Sequence, residues 1–146
     1  MRVEGTFRGR LRSFVEVRAL AESFGTTVGA DQDTTLRVVL VLEELFTNTV
    51  THGYPAGGEG PVWISLASQG GAIAITYEDA GPTFDPLVDA PAPSLATEGQ
   101  VPGGLGLALV RGLSAAASYG RIGDRNRITL TVVIGSSSPP SPTAPP

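Results

Sequence analysis

The sequence predicts an α+β fold, a two-layer α/β sandwich with helices on one face of a mixed, mainly antiparallel sheet. Apolar residues recur at helical spacing in two segments before residue 53. Short apolar runs then form two pairs, the first interrupted by glycine, with one further helical segment between the pairs. The resulting order of helices, hairpin, helix and hairpin segregates helices from strands, as α+β domains do.

The elements follow in chain order. Residues 2–9 suit a short strand, with Val3 and Phe7 apolar among polar neighbours. From Leu11 to Phe24 the apolar positions Leu11, Phe14, Val15, Val17, Leu20, Ala21 and Phe24 approximate helical spacing, and Gly25 is the expected stop. Ala30-Asp31-Gln32-Asp33 offers N-cap candidates for a second helix reaching about His52. Gly53 to Pro61 reads as a loop. Val62–Ala67 and Ala72–Tyr77 form the first hairpin around Gln69-Gly70-Gly71. Asp79 to Gly104 is rich in Pro, Gly and Ala and longer than ordinary connectors, which suggests a lid or binding loop. Leu105–Ala117 reads as a helix, and Ser118–Ile122 and Arg127–Ile134 as the last two strands. One folding unit is expected over residues 1–134, followed by a Ser/Pro-rich disordered tail over 135–146.

Composition removes several functions. With no cysteine and one histidine, disulfide frameworks and thiolate or imidazole zinc sites are poor candidates. No apolar run approaches the length of a membrane span and the N-terminus has no apolar signal core, so no membrane association and a cytoplasmic location are the expectations. The chain contains no lysine; all ten basic residues are Arg, which removes the P-loop lysine. Five of them lie in the first 18 residues, which carry +3 while the remainder carries −7. So acidic a body argues against direct nucleic-acid binding. The Arg-rich segment is equally consistent with a partner surface and a solvated edge.

Three motifs carry the chemistry. Glu44, Asn48 and His52 lie at i, i+4 and i+8, which aligns a carboxylate, a carboxamide and an imidazole on one face of an otherwise apolar helix. Hard oxygen ligands suit Mg²⁺, and a carboxylate one turn away can take a proton from a hydroxyl; the same stripe is as consistent with a plain solvent face. In Asp79-Ala80-Gly81, a carboxylate at a strand end can accept from an exocyclic amine such as that of adenine, and Gly81 lets backbone come close. Alone this is more simply an Asx turn. In Gly103-Gly104-Leu105-Gly106, glycines enter a helix whose free amides can bind an anion, or they form a hinge. No basic residue lies between Asp79 and Val110, so phosphates bound there need backbone amides and Mg²⁺, and nucleotide binding is expected to depend strongly on Mg²⁺.

Taken together, and in this order, the motifs resemble the GHKL (Bergerat) ATP-binding fold of gyrase B, Hsp90, MutL and histidine kinases. Glu44-x-x-x-Asn48-x-x-x-His52-Gly53-Tyr54, Asp79-x-Gly81-x-x-Phe84-Asp85-Pro86, Gly103-Gly104-Leu105-Gly106-Leu107 and Asn126-Arg127-Ile128-Thr129-Leu130 narrow it to the bacterial anti-sigma-factor serine kinases. The resemblance spans about residues 3–134. It implies an ATP- and Mg²⁺-dependent serine/threonine protein kinase that binds a sigma factor and phosphorylates a STAS-type anti-anti-sigma partner; separately, the Arg-rich N-terminal segment is the candidate surface for such a partner or for a homodimer. The resemblance implies Glu44 as the general base, Asn48 as the Mg²⁺ ligand, Asp79 as the reader of the adenine amine with Gly81 beside it, and Gly103, Gly104, Leu105 and Gly106 around the phosphates. It implies Asn126 as a further nucleotide-binding residue, its amide substituting for the Thr that the family often has near the base, while Thr83 stands where many members have a second glycine. The alternatives are an ATP-binding regulatory module without kinase activity and a histidine-kinase-like catalytic domain.

Overall fold

The computed structural model describes residues 1–54, 58–88 and 110–135. Strand β1 (Arg2–Arg8) leads through a 3₁₀ turn (Leu11–Ser13) into α1 (Phe14–Thr27). Helix α2 (Gln32–Asn48) follows and closes in a π-helical turn (Thr49–Gly53). The strands β2 (Pro61–Gln69), β3 (Ala72–Asp79), β4 (Ala116–Ile122) and β5 (Arg125–Val133) complete the described elements, with residues 110–113 helical before β4. The sheet order is β1-β2-β3-β5-β4, and every ladder among the described residues is antiparallel. The mixed, mainly antiparallel sheet foreseen from sequence is thus simpler here: two hairpins, β2–β3 and β4–β5, and two longer connections, β1 to β2 and β3 to β5, make all the pairings.

Strand alternation builds the core. Val62, Ile64 and Leu66 on β2, Ile73, Ile75 and Tyr77 on β3, and Ile128, Leu130 and Val132 on β5 all face the helices and are buried. Val38, Val41, Leu42, Leu45 and Phe46 of α2 meet them, as do Val17, Ala21 and Phe24 of α1. Phe14 and Phe46 join the helices edge to face at 5.8 Å. Asp31 caps α2 by accepting from the Thr34 amide at 2.8 Å; the Thr34 hydroxyl, and after it that amide, hold its carboxyl below the usual range. At the far end of the chain, the Gly135 amide donates to Thr34 Oγ1 at 2.8 Å.

Several boundaries move. Gly25 does not stop α1; it lies inside the helix, buried against Thr35 of α2, where a Cβ would collide with the Thr35 side chain. The helix ends three residues after its expected last residue, just before Gly29, which has a φ of 72°. The last stretch predicted as helix up to Ala117 gives way to strand at Ala116, because Ala116 and Ala117 pair with Thr131 and Leu130. Arg8 and Arg10 both approach Glu59, at 3.6 and 3.5 Å, and Arg2 and Arg18 pair with Glu4 and Glu22. The Arg-rich segment is therefore largely neutralised by its own surroundings. The expected tail from residue 136 on, and the expected lid from residue 89 on, lie outside the described residues. No helix of the described residues is long and apolar enough to cross a membrane.

Candidate functional site

The site forms where α2 passes over the ends of β3 and β5. Residues Asp79 and Asn126 are direct cross-strand partners at the last rung of the β3–β5 ladder. Alternation points both at the helix layer, on the face that carries Ile75, Tyr77 and Ile128, so two polar side chains are buried at the rim of an apolar core. Across from them, α2 presents Leu45, Asn48 and Thr49, and the turn Pro82–Phe84 closes the side. Together with His52 and Gly53 these residues line a cavity of about 160 Å³. That is room for a planar ring system, with apolar walls and a few convergent polar groups, as small-molecule subsites have.

Hydrogen bonds hold the floor of the cavity. Asp79 Oδ1 accepts from the Gly81 amide at 3.1 Å and from Asn126 Nδ2 at 2.9 Å. Asp79 Oδ2 accepts from Thr49 Oγ1 at 2.8 Å. Three donors converging on one carboxyl suit an acceptor-only carboxylate. With its hydrogen on Asp79, Thr49 Oγ1 accepts from Tyr77 Oη at 2.6 Å, and the Leu45 carbonyl at 3.2 Å is a second, longer acceptor for the Tyr77 hydroxyl. Burial, with Asp79 nearby, pushes the Tyr77 phenol well above its ordinary pKa, so it remains a protonated donor. Beside this floor, Gly81 passes so close to the π-helical turn that a Cβ would sit 2.9 Å from the Gly53 carbonyl oxygen. Its role is close approach rather than a positive φ. Thr83, where the resembling family often has glycine, also keeps a negative φ, since no described non-glycine residue has a positive one. The turn accepts a β-branched residue without strain.

The other end of the site lies along α2. The Asn48 side chain is buried in the cavity wall, and its Nδ2 has no hydrogen-bond partner among the described residues. A buried amide left unpaired costs about 1–3 kcal/mol, so it marks a place where something is meant to bind or meet it. Glu44 lies one helical turn earlier, half-buried and outside the cavity wall. Burial, and secondarily the adjacent Glu43 charge, raises its pKa above the ordinary carboxylate value. His52 is exposed at the cavity edge. Gly103, Gly104, Leu105 and Gly106 fall outside the described residues.

The donor set bears on a metal. No group of three or more His, Cys, Asp or Glu able to hold an ion exists among the described residues. One carboxamide beside a half-buried carboxylate instead fits Mg²⁺, which keeps several waters and takes few protein ligands when phosphates supply the rest.

Sequence reasoning thus named Asp79, Asn48 and Asn126, which the fold brings to one cavity, Gly81, which packs against Gly53 beside it, and Glu44, which it sets a turn away. It missed Thr49, Tyr77, Tyr119 and Arg121. Tyr77 was within reach, being two residues before Asp79 on the same strand face. Arg121 comes from β4, where its Nη1 donates to the Gly81 carbonyl at 2.7 Å. It ties β4 to the turn that follows Asp79, and nothing local in the sequence signals that contact.

The comparisons with known proteins agree with this architecture. Over 99 residues the chain is 31% identical to an anti-sigma F factor of Heyndrickxia coagulans, covering 67% of this chain and 66% of that protein. Over 100 residues it is 33% identical to the serine/threonine-protein kinase BtrW of Bordetella bronchiseptica, covering 66% of this chain and 70% of that one. In both cases the match spans about two thirds of the relative's length. The crystal structure of the RsbU and RsbW domains of Rv1364c from Mycobacterium tuberculosis superposes with a TM-score of 0.66 at 20% identity, covering 92% of this chain and 32% of that one. That likeness shows the fold. The histidine kinase-like ATPase domain family matches residues 7–132, nearly the whole described structure, and the chain belongs to that family.

Proposed function

We propose that the protein is a Mg-ATP-dependent serine/threonine kinase acting as an anti-sigma factor in a partner switch. It would hold a sigma factor in one state and phosphorylate a STAS-type anti-anti-sigma protein in another. One observation carries this reading. A single helix carries, one turn apart, a half-buried carboxylate with a raised pKa and a buried carboxamide whose nitrogen has no partner among the described residues, beside a cavity floored by Asp79. The names of the curated relatives, an anti-sigma F factor and a serine/threonine kinase, point the same way.

In this mechanism Asp79 accepts from the adenine amine while Gly81 leaves room beside the ring. Asn48 would contribute its carboxamide oxygen to Mg²⁺, which when bound offsets the charge of the phosphates. Glu44 takes the proton of the partner's serine hydroxyl as its oxygen bonds to the γ-phosphorus, and ADP leaves with the bridging oxygen. The raised pKa brings Glu44 toward the range where a base is effective near neutral pH. Gly103, Gly104, Leu105 and Gly106 are proposed to meet the phosphates through backbone amides, and the protein is proposed to work in the cytoplasm.

A second reading, an ATP-responsive binding module without phosphotransfer, draws on Glu44 standing outside the cavity wall. Incubation with Mg-ATP and candidate STAS proteins, read by mass spectrometry, separates the two. The kinase reading expects a phosphoserine whose formation falls by about 10²–10⁴ in Glu44→Gln. ATP-dependent thermal stabilisation should survive in that variant. Stabilisation by ATP with no partner ever modified would favour the binding module.

A further inference from the structure

Asn126 sits on the strand opposite Asp79, and its carboxamide has two donor hydrogens and two acceptor lone pairs. All four are used within the protein. Nδ2 donates to Asp79 Oδ1 at 2.9 Å and to the Pro82 carbonyl at 2.8 Å, with the Gly81 carbonyl further off at 3.4 Å. Oδ1 accepts from Tyr119 Oη at 2.6 Å and from the Phe84 amide at 3.1 Å. The partners also settle the orientation, since only the NH₂ group can face a carboxylate and carbonyls, and only the oxygen can face the Phe84 N–H. The side chain is buried.

From this geometry we infer that Asn126 is a positioning residue, a clasp that binds the 81–84 turn to Asp79 and so fixes the carboxylate, rather than a group that itself contacts the nucleotide. Its bonds bracket Thr83, to the carbonyl of Pro82 on one side and the amide of Phe84 on the other. The turn that forms one wall of the cavity is held from β5 by a side chain. Tyr119 on β4 supports the clasp from behind, and Arg121, the cross-strand neighbour of Asn126, holds the same turn through the Gly81 carbonyl. Without Asn126, Asp79 keeps the Thr49 and Gly81 bonds but loses one of the two on Oδ1, and the turn loses both of its ties to β5. The consequence for recognition rests on the proposed adenine reading: a carboxylate held in one orientation accepts from the amine of adenine and rejects the carbonyl oxygen that hypoxanthine carries at that position.

The test uses the full chain and two readouts. The first, in nucleotide-free protein, is amide hydrogen exchange of Phe84, followed by NMR. Asn126→Ala should accelerate it by about tenfold or more, and Tyr119→Phe by less. The second is the ratio of affinities for ATP and ITP, which should fall by about tenfold in Asn126→Ala. Val132→Ala, a core truncation on the same strand away from the cavity, serves as a control of lowered stability and should leave both readouts near wild type after global unfolding is taken into account. Unchanged Phe84 exchange in Asn126→Ala overturns the clasp. Exchange that accelerates equally in Val132→Ala also overturns it, because the effect would then be general loosening. If wild type does not prefer ATP to ITP, the adenine reading falls, and the nucleotide-free exchange still decides the clasp.

Discussion

The two ends of the candidate site differ in how completely the protein satisfies them. At the strand ends, Asp79, Asn126, Thr49 and Tyr77 are bonded to one another and to the backbone. Along α2, Asn48 carries a buried nitrogen without a partner among the described residues, and Glu44 a half-buried carboxyl whose pKa burial raises. The first region is built before any ligand arrives, and the second holds unmet interactions. Such a division suits a nucleotide. A flat, neutral base is best met by a rigid acceptor, whereas phosphates bring acceptors for an unpaired amide N–H and a metal brings positive charge near a half-buried carboxylate.

The sharpest way to break this contrast is to alter the rigid end. Asp79→Asn keeps the size but turns one acceptor oxygen into a donor facing Thr49, Gly81 or Asn126. Isothermal titration should show ATP affinity reduced by about 10–100-fold, and the Mg-ATP-induced rise in Tm should shrink accordingly. An unchanged affinity would remove Asp79 from base recognition.

A paired substitution on neighbouring residues of the α2 end compares the two regions directly. Thr49→Val deletes the hydroxyl that Asp79 and Tyr77 both use, and should lower unfolding free energy by about 1–3 kcal/mol in urea melts. Asn48→Leu removes an amide nitrogen that has no partner among the described residues, so nucleotide-free stability should stay level or rise, while Mg²⁺-dependent ATP binding is lost. Equal destabilisation by both would mean that the two ends are not different in kind.

The smallest effect concerns pH. A carboxyl whose folded pKa is raised binds its proton more tightly in the folded state. Its charge therefore opposes folding above the folded pKa, and that penalty disappears as pH falls below the unfolded value. Glu44→Gln should then give a slightly higher Tm than wild type at neutral pH and converge with it in acid. For the same reason phosphotransfer should fade on acidification through a limb above the ordinary carboxylate range. Glu43→Gln, which removes the like charge beside it, should shift that limb to lower pH in a kcat–pH profile.

Much of this was legible along the chain. Hairpin positions, the N-cap at Asp31 and the alternation of β5 are local, and local rules report them well. Gly25 was misread because a glycine that admits a neighbouring helix looks, in sequence, like one that ends its own. The boundary at Ala116 was misread because alanine suits a helix, whereas pairing with β5 decided the matter. In the site, single motifs named Glu44, Asn48 and Asp79 because each type of group is chemically conspicuous. Tyr119 and Arg121 escaped notice because their importance lies in what stands opposite them on the next strand.

The sequence by itself therefore determined the kinds of element, the family resemblance and the reactive groups, since these depend on residue type and short spacing. Only the tertiary structure decided which of those groups are already satisfied. Whether a carboxamide is spent, as in Asn126, or has a nitrogen without a partner among the described residues, as in Asn48, depends on partners up to 47 residues away along the chain. The reason is physical: the cost of a buried polar atom is set by its neighbours in space, and the sheet register that brings Asn126 to Asp79 arises from the packing of the whole core.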